Sequence, residues 1–188
     1  MCRAVRARGF SLAELMGVIC IIGVVAALAL GGFKRHVNAS KTSEASMVLQ
    51  AIRVAEESYR AENHVYLSVT SERGRDAGWF PNGGVYNQKG PFANPTHEDA
   101  QSWDLLNPRV DRAVEFGYKA HAGMAGDAAA MPTLQTDDFT LPDATDPPTE
   151  PWYVLQARAT FDDNYDDYCF VLATSFDPEV RIVNAEAE

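Results

Sequence analysis

Proline is missing from the first eighty residues of this 188-residue chain, and charge is missing from nineteen consecutive residues among them, Leu15 to Phe33. The first absence removes the strongest helix breaker from that region. The second leaves an uninterrupted apolar run that, at about 1.5 Å per helical residue, nearly spans a hydrocarbon layer of ~30 Å. Cysteine is scarce as well: there are three, Cys2, Cys20 and Cys169. Cys2 precedes the apolar run and Cys20 lies inside it, so neither reaches Cys169 within one chain, which excludes an intramolecular disulfide framework. Cys169, set in the apolar stretch Tyr168 to Leu172, reads as a small buried hydrophobe. Basic residues are few, 16 against 26 acidic ones, for a formal net charge of -10. Three of the 16 (Arg3, Arg6, Arg8) crowd into the first nine residues, leaving 13 for the rest of the chain. With no basic stripe to meet phosphates, nucleic-acid binding is not expected. Catalytic signatures are absent too. His36, His64, His97 and His121 show no H-E-x-x-H spacing, no G-x-S-x-G elbow occurs, and Gly83-Gly84 does not join a strand to a helix as a phosphate cradle does. The chain is therefore not expected to be an enzyme.

What is present begins at Arg8-Gly9-Phe10-Ser11-Leu12-Ala13-Glu14-Leu15, which places one acid at the mouth of the apolar run, behind a short basic leader. A carboxylate at that depth is costly unless something neutralises it, so an acid there points to a function. The run itself has three readings. A secretory signal peptide would use the three arginines as its basic region and Ala27-Leu28-Ala29 as its cleavage site. Glu14, the length of the run and the helical pattern beyond it oppose that reading. A lipoprotein signal needs a small residue before its cysteine, and Cys20 follows Ile19.

The third reading rests on Gly9 to Met16, which resembles the class III signal of type IV prepilins, a family shared with type II secretion pseudopilins. The resemblance implies that a prepilin peptidase cuts between Gly9 and Phe10, that Phe10 is then N-methylated, and that the apolar run stays in the product. It places Glu14 fifth in the mature chain, where the family keeps a glutamate. The likeness continues from Val18 to Leu30, with two departures: Ala13 replaces a larger aliphatic residue, and Gly31-Gly32 stands where many pilins bend the helix with proline. Bending or local melting in a fibre is expected at Gly23, Gly31 and Gly32, because glycine weakens a helix interior by about 1 kcal/mol. The implied function is a structural subunit of a pilus-like filament serving motility, adhesion or surface attachment. Its implied partners are further copies of itself, the prepilin peptidase, an inner-membrane assembly platform and the membrane. The implied location is the inner membrane, with the C-terminal head outside the cytoplasm, then an extracellular pilus or periplasmic pseudopilus. A pseudopilin, or an anchored ligand-binding ectodomain that never polymerises, are the alternatives.

Cleavage would give Phe10 an α-amino group that titrates near ~8 and is cationic at neutral pH. Glu14 can pair with its own terminus or with that of a neighbouring subunit, and only the second pairing carries register information. Glu14 and Phe10 are thus the expected assembly residues. The alternative is a carboxylate lying at headgroup depth.

Beyond the run, Val48, Ile52, Ala55 and Tyr59 recur with the period of one buried helical stripe, and polar residues (Arg53, Glu56, Glu57, Arg60) lie between them. One helix from about Phe10 to Glu62 is expected. Glycine, proline, asparagine and single aromatics dominate 63–107, with turns around an aromatic plug at Gly78 to Gly84. Strand patterns follow at Ala113–Ala120, Trp152–Ala159, Tyr168–Thr174 and Val180–Val183, the first alternating as a half-buried strand does. A turn is expected at Asp177-Pro178-Glu179, and a loop over Gly123 to Pro151. The fold class is α+β, a long N-terminal helix packed on a small antiparallel sheet. The expected organisation is a leader (1–9), a transmembrane or filament-core helix (10–33), its continuation (34–62) and a pilin-like head (63–188), itself divided into a loop region (63–107) and a sheet with a C-terminal loop (108–188).

Between the middle strands, Asp162, Asp163, Asp166 and Asp167 concentrate oxygen ligands suited to calcium. A calcium clip there would stand in for the disulfide that closes this loop in many pilins. The spacing is not that of an EF-hand, and the alternative is a solvated acidic turn.

Overall fold

The computed structural model describes residues 10–74, 77–82, 89–134, 139–160 and 168–184. Two compact units make up the chain, Met1–Ser40 and Lys41–Glu188. Helix α1, Leu12–Asn63, runs through both. Its interior has no proline and is rich in alanine and leucine, the best intrinsic helix formers. It stops where His64 adopts a left-handed φ of 63° and donates its N–H to the Arg60 carbonyl at 2.8 Å, closing the last turn.

In the first unit every described apolar side chain of Leu12–Ala29 is exposed. That stretch is a helix of eighteen residues, long and apolar enough to cross a membrane.

In the second unit a four-stranded antiparallel meander, β3 (Gly117–Gly123), β4 (Trp152–Thr160), β5 (Tyr168–Thr174) and β6 (Arg181–Asn184), pairs in chain order. Strands β1 (Gly90–Pro91) and β2 (Ala113–Val114) form a separate two-residue ribbon. The inner face of the sheet carries Tyr118, Ala120, Tyr153, Leu155, Ala157, Val171 and Ala173, all in one core with Ala45, Val48, Leu49 and Ile52 of α1. Alanines on this face let the helix approach closely, and each buried Leu or Ile contributes about 1.5–3 kcal/mol. The expected stripe is present: Val48 and Ile52 are buried, and Ala55 and Tyr59 pack against the core. Cys169 is buried, its Sγ 3.7 Å from the Thr42 hydroxyl. The aromatic plug is also present, with Phe80 stacked on Trp103 at 5.1 Å and edge-on to Phe92 at 5.2 Å.

Three expectations need correction. The strand expected over Ala113–Ala120 divides at Glu115–Phe116 into β2 and β3, and β3 runs on to Gly123. It is not half-buried: all its residues but Gly123 are buried. The reason is a second apolar layer on the outer face, where Trp79, Ala130 and Leu134 cover Trp152, Val154, Phe170 and Leu172. The loop from Gly123 to Pro151 thus supplies part of the core. Under that cover lie polar side chains that alternation alone assigns to solvent. Lys119 donates to the Gly74 carbonyl at 2.6 Å, and its Nζ stands 4.5 Å from the Trp79 ring centroid. Arg158 is 4.5 Å from Trp79 and 4.7 Å from Tyr168. Second, the loop region 63–107 contains a helix, α2 (Ala100–Leu106), which buries Ala100, Trp103 and Leu106. Third, Glu56 is not on the solvated side: it is 0 % exposed.

Candidate functional site

The expected assembly residues meet at the start of α1. Phe10 and Ser11 precede the helix, and Phe10 is 85 % exposed. Ser11 and Glu14 form a reciprocal capping box. The Glu14 N–H donates to Ser11 Oγ at 3.2 Å. The Ser11 N–H and hydroxyl both donate to Glu14 Oε2, each at 2.9 Å. This S-x-x-E arrangement satisfies helix N–H groups that have no partner in the preceding turn, and it fixes the carboxylate over the positive end of the helix. Reading Glu14 only through its depth and charge overlooks it, although Ser11-Leu12-Ala13-Glu14 spells it out. Ser11 is therefore a site residue that the family resemblance did not supply.

The carboxylate is used unevenly: Oε2 takes both Ser11 bonds, which leaves Oε1 outside the capping box. Gly9 lies outside the described residues. Gly23, Gly31 and Gly32 are all helical in this monomer, and a Cβ built on Gly23 meets nothing within 4 Å. Asp162, Asp163, Asp166 and Asp167 also lie outside the described residues. Among the described residues no three His, Cys, Asp or Glu side chains are placed to hold a metal ion.

In the head, ionisable groups gather where α1 ends. Arg60 Nη1 donates to the Tyr66 hydroxyl at 2.7 Å, which donates to Glu57 Oε1 at 2.9 Å. Burial, followed by the Glu57 bond, pushes Tyr66 up to about 12. One turn back, Arg53 donates to the carbonyls of Pro178 (2.9 Å), Thr174 (3.4 Å) and Asp177 (3.4 Å), tying α1 to the β5–β6 turn. That turn falls at Asp177-Pro178-Glu179 as expected, with Asp177 Oδ1 accepting the Glu179 N–H at 2.9 Å. On the outer sheet face His121 is held neutral. Burial, then the charges of Lys119 and Arg73, push it down to about 3.

A stretch of 69 residues, 37 % of this chain, is 42 % identical to the type IV major pilin protein PilA of Myxococcus xanthus (strain DK1622). The homology is to the type IV pilins. It covers 31 % of that pilin, so the matched stretch spans about a third of the curated relative's length. No family model matches the chain, and no solved structure matches it. The fold agrees with the pilin resemblance: a long helix with an apolar N-terminal half, and an antiparallel four-stranded sheet packed on its later turns.

Proposed function

We propose that this chain is the structural subunit of a type IV pilus-like filament, stored in a membrane and then assembled through its N-terminal helix. In this reading residues 1–9 are a leader removed by a prepilin peptidase, 10–33 form the filament core, 34–62 continue the helix and 63–188 form the head. One observation carries it: Leu12–Ala29 is a fully exposed apolar helix on a chain whose remainder builds its own buried core. Such a surface is unstable in water and finds cover in lipid or against copies of itself. A helical array of copies is an open, heterologous assembly in which one side of each rod packs on the other side of the next.

Glu14 supplies register. Its Oε2 is occupied by Ser11, so Oε1 is the oxygen offered to the cationic terminus of a neighbouring Phe10. Pairing across subunits adds little net stability once desolvation is counted, but a wrong stagger leaves a charge unpaired in an apolar core and is rejected. N-methylation of Phe10 preserves the positive charge. The assembly platform and peptidase are the protein partners, and motility, adhesion or surface attachment is the service the filament performs. Should the acidic stretch 162–167 bind calcium, it would stiffen the head without changing this role.

Mass spectrometry of the mature N-terminus, together with sedimentation of filaments from cells, tests the proposal. A methylated Phe10 terminus in sedimentable fibres is expected. A mature chain starting at Leu30, or one retaining Arg3 to Arg8, would refute it. Glu14→Ala is expected to be processed normally yet to lower filament yield at least tenfold. Wild-type yield from that variant removes the register role.

A further inference from the structure

The segment that leaves α1 and reaches the sheet, residues 64–70, is a strap fastened at three levels. At its far end the Val69 and Thr70 N–H groups both donate to the Ala120 carbonyl at 3.0 Å, covering the β3 edge. In the middle Tyr66 stands edge-on to Tyr153 of β4, with ring centroids 4.8 Å apart. Beside it, the Leu67 N–H reaches back to α1 and donates to Glu56 Oε2 at 3.0 Å. The third fastening is unusual because Glu56 is fully buried and its other oxygen, Oε1, has no hydrogen-bond partner among the described residues. A carboxylate with one backbone donor and no cation has too little to offset desolvation.

We infer that Glu56 is a proton-controlled latch: as a neutral acid it holds the 64–70 strap against α1, and on losing its proton it releases the strap. The inference does not depend on the filament reading.

The groups around it leave the charge uncompensated. On α1, Arg53 lies three residues before Glu56; its two Nη groups are engaged with the carbonyls of Thr174, Asp177 and Pro178, and its buried Nε has no hydrogen-bond partner among the described residues. Arg60 is directed to the Tyr66 hydroxyl. Glu57, also on α1, adds a negative charge. From the strap the ionisable neighbour is Tyr66, and from β4 it is Tyr153, itself raised chiefly by burial. Burial first and Glu57 second hold Glu56 up to about 8, against its ordinary 4.5, although the Leu67 N–H pulls the other way. A cleft of about 360 Å³, bordered by Arg60, Tyr66, Pro148, Glu150 and Phe176, adjoins the strap at Tyr66.

The sign follows from which state holds the proton. The shut strap binds it up to about pH 8, whereas an opened strap exposes an ordinary carboxyl with a pKa near 4.5. The latch is therefore fully effective below about 4.5 and loses its advantage as pH rises to about 8. Above that both states are ionised and the dependence ends.

Hydrogen exchange by mass spectrometry on the full chain in detergent micelles tests this, following peptides that contain residues 65–70 and correcting for the intrinsic pH dependence of exchange. Protection of this segment is expected to fall by up to about tenfold per pH unit between pH 5 and 8, then to level off. Glu56→Gln keeps an acceptor for Leu67 and cannot ionise, so its protection should be flat over the same range. A flat wild-type profile, or an equal slope in Glu56→Gln, overturns the latch. If the variant fails to fold, the carboxyl ¹³C shift of Glu56 in the wild-type chain decides: a midpoint near 8 supports the latch and one near 4.5 overturns it.

Discussion

Helix α1 presents opposite surfaces in its two parts. From Leu12 to Ala29 it carries Leu, Ile, Val and Met all round, and none of them is buried. From Lys41 to Asn63 its composition is largely polar, yet Thr42, Ala45, Val48, Leu49, Ile52 and even Glu56 are buried against the sheet. The apolar part is exposed, and one face of the polar part is covered. Hydrophobicity states what a segment requires from its surroundings, whereas burial depends on what the rest of the chain brings to it. The head meets the requirement of the second part internally. The first part is left for an outside surface to cover.

If the two parts are energetically independent, each can be damaged without harm to the other. Ile52→Ala removes a wholly buried side chain from the head and should cost about 2–5 kcal/mol. A denaturant midpoint shift for the head, with membrane retention unchanged, is the expected result. Loss of retention would show that the parts are coupled. Ile22→Asp is the converse experiment. It places a charge at a side chain that is 60 % exposed in the monomer, and on an insertion scale it costs about 2.5–3.5 kcal/mol. Cell fractionation should find the protein displaced from the membrane while near-UV circular dichroism of the head is preserved; a head that melts with it contradicts independence. The smallest effect is expected from Ser11→Ala, which removes the cap but leaves Glu14 in place, at about 1 kcal/mol of local helix stability. Faster amide exchange confined to the first turn of α1 would confirm this, and unchanged exchange would show the capping box contributes nothing.

Much of this was legible before any coordinates, and the residues show why. The rod is read from a local property, an unbroken run of apolar residues without proline, which needs no partner to be recognised. Strands β4 and β5 and the Asp177-Pro178-Glu179 turn are legible for similar reasons. The capping box is equally local, written in Ser11-Leu12-Ala13-Glu14, but the depth and charge of Glu14 point first to a membrane role and do not by themselves imply a cap. Glu56 had a weaker signal. It lies four residues beyond Ile52 and so falls on the same helical face, but its chemistry argues for solvent, and periodicity alone does not outweigh that.

The outer face of the sheet had no such signal. Lys119, His121, Gln156 and Arg158 alternate with apolar neighbours as solvent-facing residues do, yet all four are buried. What covers that face includes Trp79, some forty residues before β3, and the loop that joins β3 to β4. Alternation encodes which side of a strand a residue occupies, and carries no information about whether that side is wet.

By itself, then, the sequence determined the long helix, its membrane-length apolar half and the acid at its mouth, because each of these is written in neighbouring residues and their period. Only the tertiary structure decided that strands β3, β4 and β5 are covered on both faces and that Glu56 is sealed beneath the strap. Those outcomes depend on distant segments meeting in space, and burial is a property of the meeting and not of any one segment.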